Sequence, residues 1–430
     1  VSTAVRDKSL VYRDVFQSGV STEKAWSRYG SLRARALAAM TSENLATRGS
    51  EDWVHGDPGA LAAGAVVPLS GVGLSVAPVR APSGAIRLVF ANGLFDSGQS
   101  DLSGLPAGVA IGPLSAAEEL SEVGAVADDE RSGFTALNTM FWRDGFCLRL
   151  AEGVVLDQPL EVLTVNDPLA DGGIVPTRNL IVMGAASRAT VIERSGDGSP
   201  GVVAQPLTEV LCGEGSTLNH VKLVLGAETG EHHGTVWVRQ AAASTYHSWE
   251  IVTGGERTRR ELRVDLAGDG AVCDLNALYM GAGNQRLDMR TRVDHNAPGC
   301  ETRELYKGLL GGAARGIFDG MIRVARDSQR TNAQQTNRNL VLSDEAVVNS
   351  IPRLEIYADD VKCSHGSTTG QLADEEVFYL QTRGFSRQEA RTWLAWAFAS
   401  EVVDSLPTAA LQSELSTAMT ASFARVGGGL

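Results

Sequence analysis

The sequence predicts a mainly β chain: a solenoid core flanked by helical segments at its two ends. Three observations lead there. Five segments share one plan, an apolar strand, a turn of Gly, Asp, Glu or small residues, and a second short strand; they span 182–193, 210–221, 265–276, 309–320 and 341–352. Long helical patterns are missing between them, while glycine totals 47 of 430 residues, above the usual share of about 7%. Helical periodicity is confined to residues 1–60 and 373–430, leaving 61–372 as the β core. Many short strands without crossover helices fit a solenoid, sandwich or barrel. The solenoid is preferred because similar strand–turn–strand units stack and each covers its neighbour's apolar edge. The spacing of the five segments is uneven, roughly 30 to 55 residues, a loose repeat.

In chain order, Ala25, Trp26, Leu32, Ala36, Leu37 and Met40 recur at helical spacings among Arg and Glu. Thr47-Arg48 and Glu51-Asp52-Trp53 follow as a polar approach, with Trp53 expected to dock on the next region. From about 60 the pattern turns to short apolar strands such as 86–90 and 154–156, and Asn92-Gly93 is a hairpin-turn dipeptide. Residues 136–150 mix a short helical piece with a strand beginning after Asp144-Gly145. At the far end Asp374 is placed to cap a helix that stops at Gly384, and Ser386-Arg387-Gln388-Glu389 reads as a capping box. Pro407 ends that second helix and Thr408 caps a last one. Trp393, Trp396 and Phe398 cover more than one face, so they either pack on their own domain or meet a partner.

The totals exclude several classes. A net charge of −13 disfavours a nucleic-acid or anionic-membrane surface. No apolar run approaches the roughly 18–20 residues of a membrane span, and no basic-then-apolar leader pattern is seen. Five widely spaced cysteines without CxxC read as reduced thiols, which suits bacterial cytosol or plastid stroma. There is no GxxxxGK[ST], HExxH or GxSxG, so the chain is not expected to hydrolyse ATP or to be an enzyme of those classes. Gly281-Ala282-Gly283 alone is too weak for a dinucleotide site.

One stretch carries most of the chemistry. Residues 354–371, LEIYADDVKCSHGSTTGQ, open as a strand, supply Asp359, Asp360, Cys363 and His365, and are expected to turn at Gly366, Ser367 and Thr368. Two residues apart on a strand, Cys363 and His365 share a face, and thiolate with imidazole suits a soft or borderline metal. Two ligands are too few for a structural zinc or iron–sulfur site. Either the pair is no metal site, or its other ligands come from elsewhere. Asp359 and Asp360 read as turn residues; His232 and His233 would point to opposite faces of a strand; Asp294-His295 is placed in a loop before Pro298; Cys147, Cys212, Cys273 and Cys300 read as packed thiols.

These residues carry a family likeness. The 354–371 stretch with EEVFYLQTRGFSRQEAR, together with TNRNLVLSDEAVVNSIP, LYKGLLGGAARGIFDGMIRV and VDHNAP, closely resembles the SufD family of the SUF iron–sulfur assembly system. VFANGLFDSGQSDL and TRGSEDW agree more weakly, so the likeness covers nearly the whole chain. It departs at Val54-His55, where Lys-Tyr is common, and at Ser367, where Ala is usual. The resemblance implies a right-handed parallel β-helix flanked by helical domains. It implies a non-enzymatic scaffold that pairs through the β-helix with a SufB-like paralogue and binds a SufC-like ATPase through its C-terminal helices, where Trp393, Trp396 and Phe398 are contact candidates. By motif match, His365, with Cys363 beside it, is the iron or cluster site at the paralogue interface, and no cofactor is held stably by the lone chain, which is expected to self-pair. The YKGLL and DDVKCSHG stretches argue against a SufB-type paralogue. A solenoid enzyme acting on acidic polysaccharide would need clustered carboxylates and a basic catalyst, for which Asp359, Asp360 and Arg353 are the nearest residues.

Overall fold

The computed structural model describes residues 8–19, 29–41 and 86–426, apart from 119, 168–172, 197–199 and 227, and also 55, 56, 59 and 61. Ala25, Trp26, Trp53 and the stretch before it lie outside the described residues.

The core is a parallel β-solenoid of about seven turns, with helices toward both chain ends. From β4 onward the chain alternates strictly between two sheets. Sheet one holds β3 (Val109–Pro113), β4 (Phe146–Leu150), β6 (Gly173–Met183), β8 (Val202–Cys212), β10 (Glu231–Gln240), β12 (Arg257–Leu266), β14 (Arg286–His295), β16 (Arg315–Val324) and β18 (Val347–Ile356). Sheet two holds β1 (Ile86–Ala91), β2 (Leu94–Phe95), β5 (Leu160–Val165), β7 (Arg188–Ser195), β9 (Thr217–Val224), β11 (Thr245–Val252), β13 (Val272–Gly281), β15 (Glu301–Leu310), β17 (Asn332–Val341) and β19 (Lys362–Gly370). Neighbours along each sheet are parallel except for β1–β2 and β3–β4. Period-2 alternation sends one face of each strand inward, where Leu262, Met289 and Phe318 of sheet one share one core with Leu275, Tyr306 and Ala333 of sheet two.

The repeat is tighter than the sequence suggested. The five segments straddle two different corners: 182–193, 210–221 and 265–276 pass from sheet one to sheet two, whereas 309–320 and 341–352 pass back. Mixing the corners, and passing over the β10–β11 corner between 221 and 265, makes the spacing look uneven. At the first corner a left-handed residue recurs on successive turns, at Ala186, Gly215, Ala243, Gly270, Gly299 and Arg330. Each donates its N–H to the next turn, as from Ala186 to Glu214 O and from Gly215 to Ala242 O. Alanine and arginine bear the left-handed strain at three of these positions, which hides the motif from a search for glycine.

Helices cover the outer faces. Helices α1 (Lys8–Gly19) and α2 (Gly30–Ala39) pack through Tyr12, Phe16, Ala36 and Met40 onto α3 (Gly133–Phe141), which lies on Ile174 and Val203 of sheet one. Ser132 caps α3 at Thr135 N, and Arg33 donates to the carbonyls of Thr139, Met140 and Trp142 at its other end. At the C-terminus α4 (Asp374–Thr382), α5 (Arg387–Val403) and α6 (Ala409–Val426) follow. Ala399, Val402, Leu415 and Phe423 of α5 and α6 bury the outer face of sheet two against Leu223, Ile251 and Leu309. The Ser386–Glu389 capping box forms, Gly384 takes positive φ after α4, and Thr408 Oγ1 accepts from Leu411 N. The residue capping α4 is Ala373, not Asp374; Asp374, Glu375 and Glu376 occupy its first turn, where negative charge suits the helix dipole.

Other expectations shift. Asn92-Gly93 makes the β1–β2 turn with φ of 48° and 77°. Residues 154–156 form only an isolated bridge at Val155, and the strand there is β5. Gly366, Ser367 and Thr368 do not turn the chain: they sit within β19, and the turn comes earlier, at 357–361. Asp294-His295 closes β14 instead of lying in a loop.

Candidate functional site at the open end of the solenoid

The last turn, β18 followed by β19, is where the motif residues fall. β18 pairs only with β16 and β19 only with β17, so among the described residues both strands keep one edge without a ladder partner. Such long free edges are templates for another strand. β19 is almost wholly exposed.

Register decides where its side chains point. Cys363, His365 and Ser367 stand opposite Ala333, Gln335 and Asn337, all three buried on the inward face of β17. In-register parallel strands put partners on one face, so the three project inward from the last turn. Cys363 packs half-buried against the core, and burial pushes its thiol up. His365 is exposed. Ser367 Oγ donates to Ser350 Oγ across the coil at 2.7 Å, and Ser350 donates to Asn337 Oδ1 at 2.7 Å. Alanine at 367 could not make that link. Asp360 lies in the turn, where its N–H donates to Gln329 Oε1, and Arg353 is paired with Asp319 on the outer face of sheet one. Among the described residues no group of three His, Cys, Asp or Glu could hold a metal ion, so Cys363 and His365 are brought together but not completed.

Sequence spacing alone does not disclose what lies beneath. Below His365 the ladder continues inward through Gln335 to Glu304 of β15. Glu304 Oε2 accepts from Gln335 Nε2 at 3.1 Å and from Thr291 Oγ1 at 2.9 Å. Burial pushes Glu304 up to about 7 against the pull of those two donors. Deeper, Glu250 pairs with Arg260 at 2.8 Å, and Glu193 accepts from Lys222 at 2.8 Å and from His220 at 2.7 Å. Burial alone would raise Glu193, but Lys222 and His220 outweigh it and hold the carboxyl below its usual range. Glycine makes room for this seam: a Cβ at Gly234 would strike Arg260, and one at Gly320 would strike Gln335. A polar residue at an inward parity, such as Glu304 between Thr302 and Tyr306, was the available signal.

The remaining candidates separate. His232 turns inward to Ser195 Oγ at 3.0 Å and His233 outward to Glu231 at 3.0 Å, so they share no site. His295 is buried against Thr302 Oγ1, and burial lowers it to about 4. Cys147, Cys212, Cys273 and Cys300 are buried thiols. On the C-terminal helices Trp393 is 55% exposed and lies next to Phe385, and Phe378 and Tyr379 of α4 are exposed too. Trp396 instead packs edge-on against Phe423, and Phe398 lies under Lys307 Nζ.

Comparison with known proteins agrees with this geometry. Residues 167–398 match the model of the SUF system FeS cluster assembly SufBD core domain, and residues 82–162 match the SufBD protein N-terminal region. The chain belongs to the SufBD family. It is 31% identical over 403 residues to the iron–sulfur cluster assembly SufBD family protein slr0076 of Synechocystis, covering 89% of this chain and 88% of that one. It is 36% identical over 200 residues to the iron–sulfur cluster assembly protein SufD of Escherichia coli, 46% of this chain and 47% of the relative. The chloroplastic protein ABCI7 of Arabidopsis thaliana is 34% identical over 210 residues, 49% and 44% of the two chains. This SufBD member is of the SufD type and has a role in iron–sulfur cluster assembly within the SUF system. None of its described helices is long and apolar enough to cross a membrane.

Proposed function

We propose that the chain is a non-enzymatic scaffold whose open last turn is completed by a SufB-like paralogue, forming between them a site for iron or a nascent cluster. The observation that carries this reading is the coincidence of Cys363 and His365 with the two unpartnered strand edges of the solenoid. Strand addition to those edges would be directed by main-chain hydrogen bonds. It would also bring foreign side chains to the face where Cys363 and His365 need further ligands. His365 then supplies a nitrogen donor, and Cys363 supplies sulfur once a bound cation displaces the thiol proton that burial now retains. The exposed aromatics Phe378, Tyr379, Phe385 and Trp393 are the surface for a SufC-like ATPase; Trp396 and Phe398, packed on their own chain, stiffen the helices behind it. ATP-driven closure of that partner would act on the last turn through α4, which follows β19 directly.

His365→Ala tests the reading. Co-expressed with the paralogue and the ATPase, the variant should assemble normally while the iron and sulfide carried by the complex fall several-fold. A normal iron and sulfide content in that complex would count against it.

A further inference from the structure

The buried amide of Gln335 has one end committed and one end idle. Its nitrogen donates to Glu304 Oε2, which also accepts from Thr291; once Glu304 is ionised, both of its oxygens can only accept. That fixes which end of the amide faces inward. Gln335 Oε1 is left buried without a donor among the described residues, in a side chain 1% exposed. An amide oxygen held that way forgoes the hydrogen bond it would have in water. The residue directly above it in register is His365, which has no hydrogen-bond partner of its own among the described residues. Gly320 supplies the space that lets Gln335 adopt this pose, because a Cβ there would meet the amide nitrogen.

We propose that Gln335, oriented by Glu304, is a positioning residue for His365: its Oε1 accepts one ring N–H and so leaves the lone pair of the other ring nitrogen facing the open end. Imidazoles that bind metals ordinarily donate their second N–H to an oxygen in this manner, which sets the tautomer and the ring orientation. Here the oxygen belongs to an amide, and a carboxyl one turn deeper holds the amide still. The proposal rests on the reading of His365 as a functional residue, but its geometry can be tested separately.

The measurement is long-range proton–nitrogen NMR on the full chain labelled in histidine, with His365→Ala identifying the signal. In the wild type His365 should be held as one neutral tautomer at pH 8. Gln335→Leu should release it to a mixture, and so should Gly320→Ala, which removes no polar group but displaces the amide. Glu304→Met should do the same, whereas Glu304→Gln keeps an acceptor under the amide and should preserve the wild-type tautomer. A His365 tautomer ratio indifferent to both Gln335→Leu and Gly320→Ala overturns the proposal. In the assembled complex Gln335→Leu should weaken iron binding about 10-fold. Should His365→Ala leave iron content unchanged, the functional reading fails while the tautomer data still decide this one.

Discussion

The two ends of the solenoid are built differently. At the N-terminal end each sheet is closed by a strand running the wrong way for the repeat: β2 folds back on β1 and β3 runs antiparallel to β4. Phe95, Leu102, Leu105 and Ile111 pack against that end of the core, and the Arg87–Glu161 pair is buried on the outward face of β1 and β5. At the C-terminal end no antiparallel strand follows among the described residues, and the last turn presents Cys363, His365 and Ser367. Solenoids need both ends covered. An end closed by the chain's own apolar residues serves stability; the end left open with ligand-type side chains is where the proposed paralogue would dock.

The comparison can be broken most forcefully near the closed end. Glu209 accepts from Arg178, with both side chains buried, and also from the N–H groups of Gly124, Val126 and Ala127. Glu209→Ala strands the Arg178 charge and three amides, and should cost about 3–5 kcal/mol, read from urea unfolding. A loss under 1 kcal/mol would mean that this end is not held by its buried polar links.

A smaller effect is expected inside the seam. Folded Glu304 holds its proton up to about 7, above the ordinary 4.5, so the native state binds a proton that the unfolded chain has released. Stability from this group is therefore full below pH 4.5 and declines as pH rises to 7, by about 3 kcal/mol in all. Glu304→Gln should remove that decline, so the difference in unfolding free energy between variant and wild type should grow from pH 5 to pH 8. A difference independent of pH would show that Glu304 is ionised throughout.

The least change in stability is expected at the open edge. Lys362 N–H bonds inward to Thr331 O, and alternation then leaves the N–H of Ser367 on the free side of β19. Ser367→Pro, which gives up the Ser367–Ser350 hydrogen bond, should cost the isolated chain about 1 kcal/mol while abolishing co-purification with the paralogue. Retained pairing would place the interface elsewhere.

Much of this molecule could be read along the chain. Apolar alternation, turn residues and end helices announced a solenoid, and Ser386, Gly384 and Thr408 mark helix ends as their local chemistry dictates. Cys363 and His365 stand out because a spacing of two along a strand puts them on one face. The rung length was obscured because Ala186, Ala243 and Arg330 occupy turn positions where glycine would have been conspicuous. Gly366 was misplaced as a turn because a glycine in an exposed last strand resembles one in a loop.

What local pattern settles here is what neighbours in sequence can settle: which residues alternate, where helices start, and which side chains share a strand face. It does not contain the vertical neighbours. Glu304, Gln335 and His365 are separated by about thirty residues each and meet only because successive turns stack in register. Packing of α6 on α5 decides that Trp396 is covered while Trp393 is exposed, and the stacking of turns decides that one end of the coil is closed and the other open. Those are contacts between turns, and their physical origin is the hydrogen-bond register of parallel strands.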